Sequence, residues 1–156
     1  MKCKLKNYVI AILIPLGVGI ASSLLTMENM GIYSEVNTPP LSPPSWLFPV
    51  AWTVLYILMG ISSALVWCTK TDNTAKETGL AYYIASLIFN FGWSIIFFNL
   101  RAFFVAFAWL CVLWILILFT VVFYARVNKT AAYLQLPYLV WVTFAGYLNI
   151  AIALLN

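Results

Sequence analysis

The stretch that decides the fold runs from Thr38 to Trp67 and reads TPPLSPPSWLFPVAWTVLYILMGISSALVW. It begins with four prolines within six residues. Because proline lacks an N–H and fixes φ, this run cannot continue a helix and predicts a stiff, extended segment. About twenty uncharged residues follow, enough to cross a bilayer as a helix. The stretch therefore predicts a proline-rich lid that leads directly into a membrane-spanning helix.

The composition places the chain among membrane proteins. Hydrophobic residues make up 65% of its 156 residues and charged residues only 8%, whereas soluble domains carry about 25% charged residues. A chain of this length has room for about five spanning helices. We therefore predict a single all-α membrane domain, residues 1–156, built as a bundle of five transmembrane helices.

The apolar runs predict approximate spans at residues 9–26, 45–68, 80–100, 103–125 and 131–155. The first loop, residues 27–44, is long for a compact bundle, and we expect it to act as a lid. The first apolar run follows a basic start and ends in small residues, a pattern that also fits a signal peptide. Because this run is longer than a usual signal-peptide core, we interpret it as a retained helix.

The distribution of Lys and Arg predicts the orientation of the bundle. Three of these residues lie at the N-terminus, two in the second loop and two in the fourth, whereas Arg101 stands alone on the opposite side. We expect an integral protein of a bacterial cell membrane with a cytoplasmic N-terminus, and with the first loop and the C-terminus outside. The net charge of +4 then needs no nucleic-acid partner, and the lipid bilayer is the expected surrounding.

Acidic, basic and histidine side chains are absent from the predicted spans. The chain has no histidine, and its four acids are Glu28, Glu35, Asp72 and Glu77. A proton relay within the membrane needs acidic or imidazole groups, and general acid–base hydrolysis needs the same residue types. Proton-driven transport and ordinary hydrolysis are therefore not expected.

The three cysteines, Cys3, Cys68 and Cys111, are scattered singly. Without histidine or a paired cysteine spacing, a metal site is not expected. We interpret all three as packing residues or free thiols, since a buried cysteine behaves as a small hydrophobic residue.

Three predicted helices carry aromatic and amide side chains on one face. These are Trp52, Tyr56 and Gly60 in the second span, Asn90, Trp93 and Phe97 in the third, and Tyr138, Trp141, Ala145, Leu148 and Asn149 in the fifth. If the three stripes converge, they form an apolar cavity suited to a flat ligand such as a tetrapyrrole or a sterol. Because no histidine can ligate haem iron, a metal-free porphyrin is favoured. A ligand-free aromatic core would explain the same periodicity equally well.

Further residues match a known pattern in the right order along nearly the whole chain. They are Tyr33, Pro39, Pro43, Pro44 and Trp46 in the first loop, Met59 and Trp67 in the second span, Phe98 in the third, and Pro137 and Phe144 in the fifth. With the three stripes, they make the chain resemble the translocator protein (TspO/MBR) family, also called tryptophan-rich sensory protein or peripheral benzodiazepine receptor.

The resemblance implies a five-helix bundle that closes around a pocket beneath the first loop, often as a homodimer. It implies a receptor or sensor that binds protoporphyrin IX and isoquinoline carboxamides, with a role in porphyrin transport or stress regulation and no required cofactor. Carried over by motif, the ligand-binding residues are Pro43, Pro44, Trp46, Trp52, Tyr56, Asn90, Trp93, Phe97, Tyr138, Trp141, Ala145 and Leu148.

The resemblance also implies an alternative, a light- and oxygen-dependent enzyme that degrades porphyrin. The tryptophans implicated in that reaction fall at Trp52 and Trp141, which are therefore the catalytic candidates. Three positions depart from the family pattern: Thr38 replaces a common lysine, Leu41 a common tryptophan and Trp109 an acid. The sterol-binding motif of animal members is missing from the fifth span, so sterol transport is not expected.

Overall fold

The computed structural model describes residues 3–71 and 74–156 of the chain. Within these ranges, five helices are long and apolar enough to cross a membrane. In chain order the helices are α1 (Leu5–Thr26), the short α2 (Ile32–Glu35), α3 (Leu47–Cys68), α4 (Thr74–Ser94), α5 (Phe103–Val127) and α6 (Lys129–Leu155). The predicted all-α bundle of five transmembrane helices is confirmed. Lys2 and Asp72, two of the charged residues of the chain, lie outside the described residues.

Tight connections order the second half of the bundle. α4 continues directly into a π-helical segment, Ile95–Asn99, and Arg101 then turns the chain with a φ of 51°. Between α5 and α6 lies the single residue Asn128, whose side chain accepts a hydrogen bond from Ala131 N at 3.2 Å and caps α6. α4 and α5 are consequently antiparallel neighbours, and so are α5 and α6.

The bundle has two ends, which we call the loop end, covered by the first loop, and the base, where α1 begins. Toward the base, buried hydroxyl groups link α3 to its neighbours. Ser62 donates a hydrogen bond to Ala131 O at 2.7 Å, and the Ser63 hydroxyl lies 2.9 Å from that of Tyr124. Because polar groups in hydrocarbon need partners within the protein, these bonds fix α3 against α5 and α6.

Glycine allows α1 to pack closely on α3. A Cβ atom at Gly60 would lie 2.5 Å from Ile12 Cα, and one at Gly19 would clash with the ring of Tyr56. Small residues are the usual means by which membrane helices approach each other closely. The contact therefore depends on the absence of a side chain at these two positions.

The prediction for the cysteines is wrong for two of the three. Cys3 and Cys68 form a disulfide bond that joins the start of α1 to the end of α3, with Cα atoms 5.3 Å apart. Cys111 is free and exposed. The two bonded residues are 65 positions apart in the sequence, and only the packing of α1 on α3 brings them together. Spacing along the chain therefore carried no sign of the pair.

The first loop lies across the loop end of the bundle and is held there by polar contacts. Arg101 Nη2 donates to Glu35 Oε2 at 2.8 Å, forming an ion pair between two exposed side chains. Asn37 N donates to Asn156 Oδ1, and Asn156 Nδ2 donates to Asn37 O, both at 3.0 Å. The loop is thereby attached to the α4–α5 connection and to the end of α6.

Candidate ligand-binding site

A cavity of about 470 Å³ lies between α1, α3, α4 and α6 toward the loop end. Ligand pockets typically measure roughly 300–1,000 Å³. None of the described residues that line this cavity is charged. Eight of the predicted site residues line it, namely Trp52, Tyr56, Asn90, Trp93, Phe97, Trp141, Ala145 and Leu148. The structure thus brings residues of the three stripes together around one apolar space.

Trp52 is the centre of the aromatic wall. Its ring stacks on that of Tyr56, with centroids 5.5 Å apart. It meets the rings of Trp141 and Tyr138 edge to face, at 6.4 and 6.2 Å. Trp141 in turn contacts Phe48 at 6.0 Å. Stacked and edge-to-face arrangements are the favoured ones for aromatic pairs. The wall therefore presents flat ring faces in fixed directions.

Two amide side chains hold the polar part of the wall. Asn90 Nδ2 donates to the Tyr138 hydroxyl at 3.1 Å, and Trp93 Nε1 donates to Asn149 Oδ1 at 2.9 Å. Asn149 Nδ2 then donates to Phe103 O at 2.8 Å. Asn90 both joins α4 to α6 and lines the cavity. The two amide side chains of the site are therefore held in place by neighbouring helices.

Four predicted site residues do not line the cavity: Pro43, Pro44, Trp46 and Tyr138. Trp46 lies six residues before Trp52, which places it on a different face of the helix, and it is 66% exposed. Tyr138 is fully buried behind the aromatic wall, where its hydroxyl accepts a hydrogen bond from Asn90. The two prolines lie in the segment that leads to α3.

Sequence reasoning missed the contribution of α1 to the cavity wall, and it named Tyr33 of the first loop as a family-pattern residue but not as a site residue. Gly19, Ser22 and Thr26 line the cavity from α1, and Tyr33 lines it from α2. The three α1 residues lie at i, i+3 and i+7 on one helix face. The spacing of these small and hydroxyl-bearing residues within an apolar run was the sequence feature that could have indicated a cavity-facing side of α1.

Trp109, which stands where the family pattern has an acid, packs outside the cavity. Its ring stacks on Phe89 at 4.4 Å, and its Nε1 donates to Phe89 O at 2.7 Å. A Cβ atom at Gly92 would lie 2.8 Å from the Trp109 ring. The indole therefore fills a place between α4 and α5 that glycine leaves open.

The fold and the cavity define an integral membrane protein of five helices that encloses an aromatic-walled space. The sequence profile of the TspO/MBR family matches residues 11–155. The chain is 39% identical over 142 residues to the tryptophan-rich protein TspO of Chlorobaculum tepidum, covering 90% of each protein. The chain belongs to the TspO/MBR family, as its resemblance indicated.

Two further relatives carry other names of the same family. The tryptophan-rich sensory protein of Cereibacter sphaeroides is 36% identical over 124 residues, which are 80% of this chain and 76% of that protein. The translocator protein of Homo sapiens is 32% identical over 139 residues, which are 86% of this chain and 80% of that protein. The similarity therefore extends over most of each relative.

Proposed function

We propose that this protein is a membrane receptor or sensor that binds a metal-free tetrapyrrole such as protoporphyrin IX in the cavity. The observation that carries the proposal is the pair of indoles, Trp52 and Trp141, which line the same apolar space from two helices. Flat, poorly soluble rings gain affinity from stacking on such faces. The absence of histidine from the sequence favours a ring without iron, and the protein itself then needs no cofactor.

The polar groups of the cavity support the same ligand class. Asn90 and Asn149 lie among aromatic residues and are held by bonds to other helices. A few fixed polar groups in an apolar pocket orient a ligand, while the apolar wall supplies most of the affinity. A ring with hydrogen-bonding nitrogens and polar edge groups matches that arrangement.

The orientation, membrane and assembly of the protein are also proposals. Seven of the eight Lys and Arg residues lie on the side of the N-terminus, which favours a cytoplasmic N-terminus and base in a bacterial cell membrane. The first loop and the C-terminus then lie outside. The homodimer rests on the family resemblance, and a mass measurement of the protein in nanodiscs tests it.

Titration of the purified protein with protoporphyrin IX tests the proposed ligand. We expect saturable quenching of tryptophan fluorescence, weakened by Trp52→Phe and by Trp141→Phe. Trp67→Phe is the matched control, because Trp67 is 64% exposed and lies outside the cavity. Quenching that does not saturate, or that ignores the first two substitutions, would contradict the proposal.

The alternative is a light- and oxygen-dependent enzyme that degrades the bound porphyrin. It is favoured by the position of two oxidisable indoles beside the space where the ring would lie. Excited porphyrin and molecular oxygen would supply the reactive species, so no acid or histidine is needed. Illumination of the complex should yield a new absorbing product that neither Trp52→Phe nor Trp141→Phe forms. Bleaching equal to that of free porphyrin in detergent would exclude the enzyme.

A further inference from the structure

α1 moves away from α3 between the base and the loop end. Toward the middle of the bundle, Ile12 and Gly60 bring the two backbones into contact, and Gly19 still lies against the ring of Tyr56. At the loop end, the partner of α1 is different: Asn99 Nδ2 donates to Leu25 O at 3.0 Å, and Asn29 Nδ2 donates to Asn99 Oδ1 at 2.8 Å. α1 therefore crosses from α3 toward the π-helical segment that ends α4.

The facing sides of α1 and α3 change from buried contact to exposed surface along this path. Thr53 and Pro49 lie seven and eleven residues before Gly60, and so share its face of α3. Ser23 lies eleven residues after Ile12 and so shares its face of α1. All three outer residues are exposed and line the cavity. The cavity therefore opens sideways between the two helices.

This opening lies within the apolar span, and the Thr53 side chain at its edge already makes its hydrogen bond within α3. That residue lies about 9 Å along α3 from its start, at about 1.5 Å per residue. Its hydroxyl is satisfied by Pro49 O at 2.7 Å. On the α1 side, Ile20 and Leu24 line the cavity and are 60% and 64% exposed. An apolar molecule at this depth therefore meets mainly apolar side chains, beside the bonded hydroxyl of Thr53 and the small side chain of Ser23.

The loop end is closed more firmly than the side. A ligand that entered there would have to displace the first loop, which is held by the Glu35–Arg101 ion pair and by two hydrogen bonds between Asn37 and Asn156. The Tyr147 hydroxyl adds a hydrogen bond to a carbonyl of the proline run, Pro40 O, at 2.7 Å. Among the residues that the structure describes, no hydrogen bond or ion pair spans the side opening.

We infer that the cavity takes its ligand sideways from the hydrocarbon of the bilayer, through the opening bounded by Ile20, Ser23, Pro49 and Thr53. The class of molecule is one already dissolved in the membrane, apolar or amphiphilic, with its flat apolar part entering first. The tetrapyrrole identity of that molecule rests on the proposed function. The route itself rests on the divergence of α1 and α3.

A photoreactive apolar diazirine confined to the bilayer tests the route without a tetrapyrrole. The full chain in lipid nanodiscs is irradiated with the probe, and mass spectrometry locates the adducts. We expect adducts on Trp52 and Trp141 in the wild type. Thr53→Trp should reduce the yield of these adducts about tenfold, because the bulky indole fills the opening between α1 and α3 and leaves no room for the probe to pass. Val54→Trp is the matched control, since Val54 is adjacent, 51% exposed and not part of the cavity lining.

Ser23→Phe narrows the opening from the α1 side and replaces Thr53→Trp if that variant does not fold. The inference is overturned if lipid-facing residues are labelled but the cavity of the wild type is not. It is also overturned if cavity adducts persist equally in the folded blocking variants. A labelled cavity in a protein that shows no saturable porphyrin binding would instead refute the proposed function and leave the route intact.

Discussion

The indole ring of Trp52 stands at 83° to that of Trp141, with the two ring centroids 6.4 Å apart. The first residue belongs to α3 and the second to α6, and both line the cavity. An edge-to-face pair restricts both rings, so each helix fixes the ring plane that the other presents. The pair is therefore a geometric unit of the site as well as two separate contact surfaces.

Trp52→Phe should weaken protoporphyrin IX binding, because it removes the larger π-face and loosens the pair with Trp141. The expected loss is about 0.5–1.5 kcal/mol, or roughly 2- to 10-fold in Kd. Isothermal titration in nanodiscs measures it. Trp67→Phe should leave the Kd unchanged, and an equal loss in that variant would assign the effect to general destabilisation.

Tyr138→Phe should lower the stability of the bundle, because it removes the hydroxyl that accepts the hydrogen bond from Asn90. Interhelical hydrogen bonds in membranes contribute about 0.6–1.7 kcal/mol, so we expect a loss of this size in the free energy of unfolding. Tyr133→Phe is the control, since Tyr133 is 67% exposed. Equal midpoints of unfolding for the two variants would contradict a role for the buried bond.

Gly60→Ala should separate α1 from α3, because the added methyl group would meet the backbone of Ile12. Overpacking of this kind costs about 1–3 kcal/mol. Thermal unfolding of the purified variant measures the loss, with Gly17→Ala as the matched substitution. A Cβ atom at Gly17 would have nothing within 4 Å. A comparable loss of stability in Gly17→Ala would therefore show that the effect does not come from the contact between α1 and α3.

The disulfide between Cys3 and Cys68 provides a test of orientation. Disulfides persist in oxidising compartments and are rare in the cytosol, whereas the proposed orientation has this end of the bundle in the cytoplasm. We therefore expect both thiols to be reduced in living cells and to pair after purification in air. Rapid alkylation of intact cells, followed by mass spectrometry, distinguishes the two forms. A bonded pair in the trapped cells would contradict a cytoplasmic base.

The five helices were predictable because hydropathy alone identifies apolar runs of spanning length. The aromatic stripes of α3, α4 and α6 were predictable because helical spacing fixes which residues share a face. Trp46 shows the limit of motif transfer: it matched the family pattern, yet its position before α3 turns it away from the cavity.

The rest depends on how helices lie against one another, which periodicity does not encode. The role of α1 in the cavity follows from its crossing over α3, and the signal from Gly19, Ser22 and Thr26 was compatible with simple packing. The Cys3–Cys68 bond likewise required knowledge of which helix ends meet. Asn90 was predicted as a ligand-binding residue, and in the structure it lines the cavity and also donates a hydrogen bond to Tyr138 on α6.

None of the described residues that line the cavity is charged, and this determines how ligand binding should depend on pH. Tyr33 and Tyr56 are the titratable groups among these lining residues, and tyrosine ordinarily titrates near pH 10. The charge of the cavity therefore stays constant between about pH 5 and pH 8. Any change of tetrapyrrole affinity across that interval would come from the ligand itself, through its carboxylates or its ring nitrogens. The diester of the same porphyrin lacks the carboxylates and should bind independently of pH wherever its ring nitrogens stay neutral.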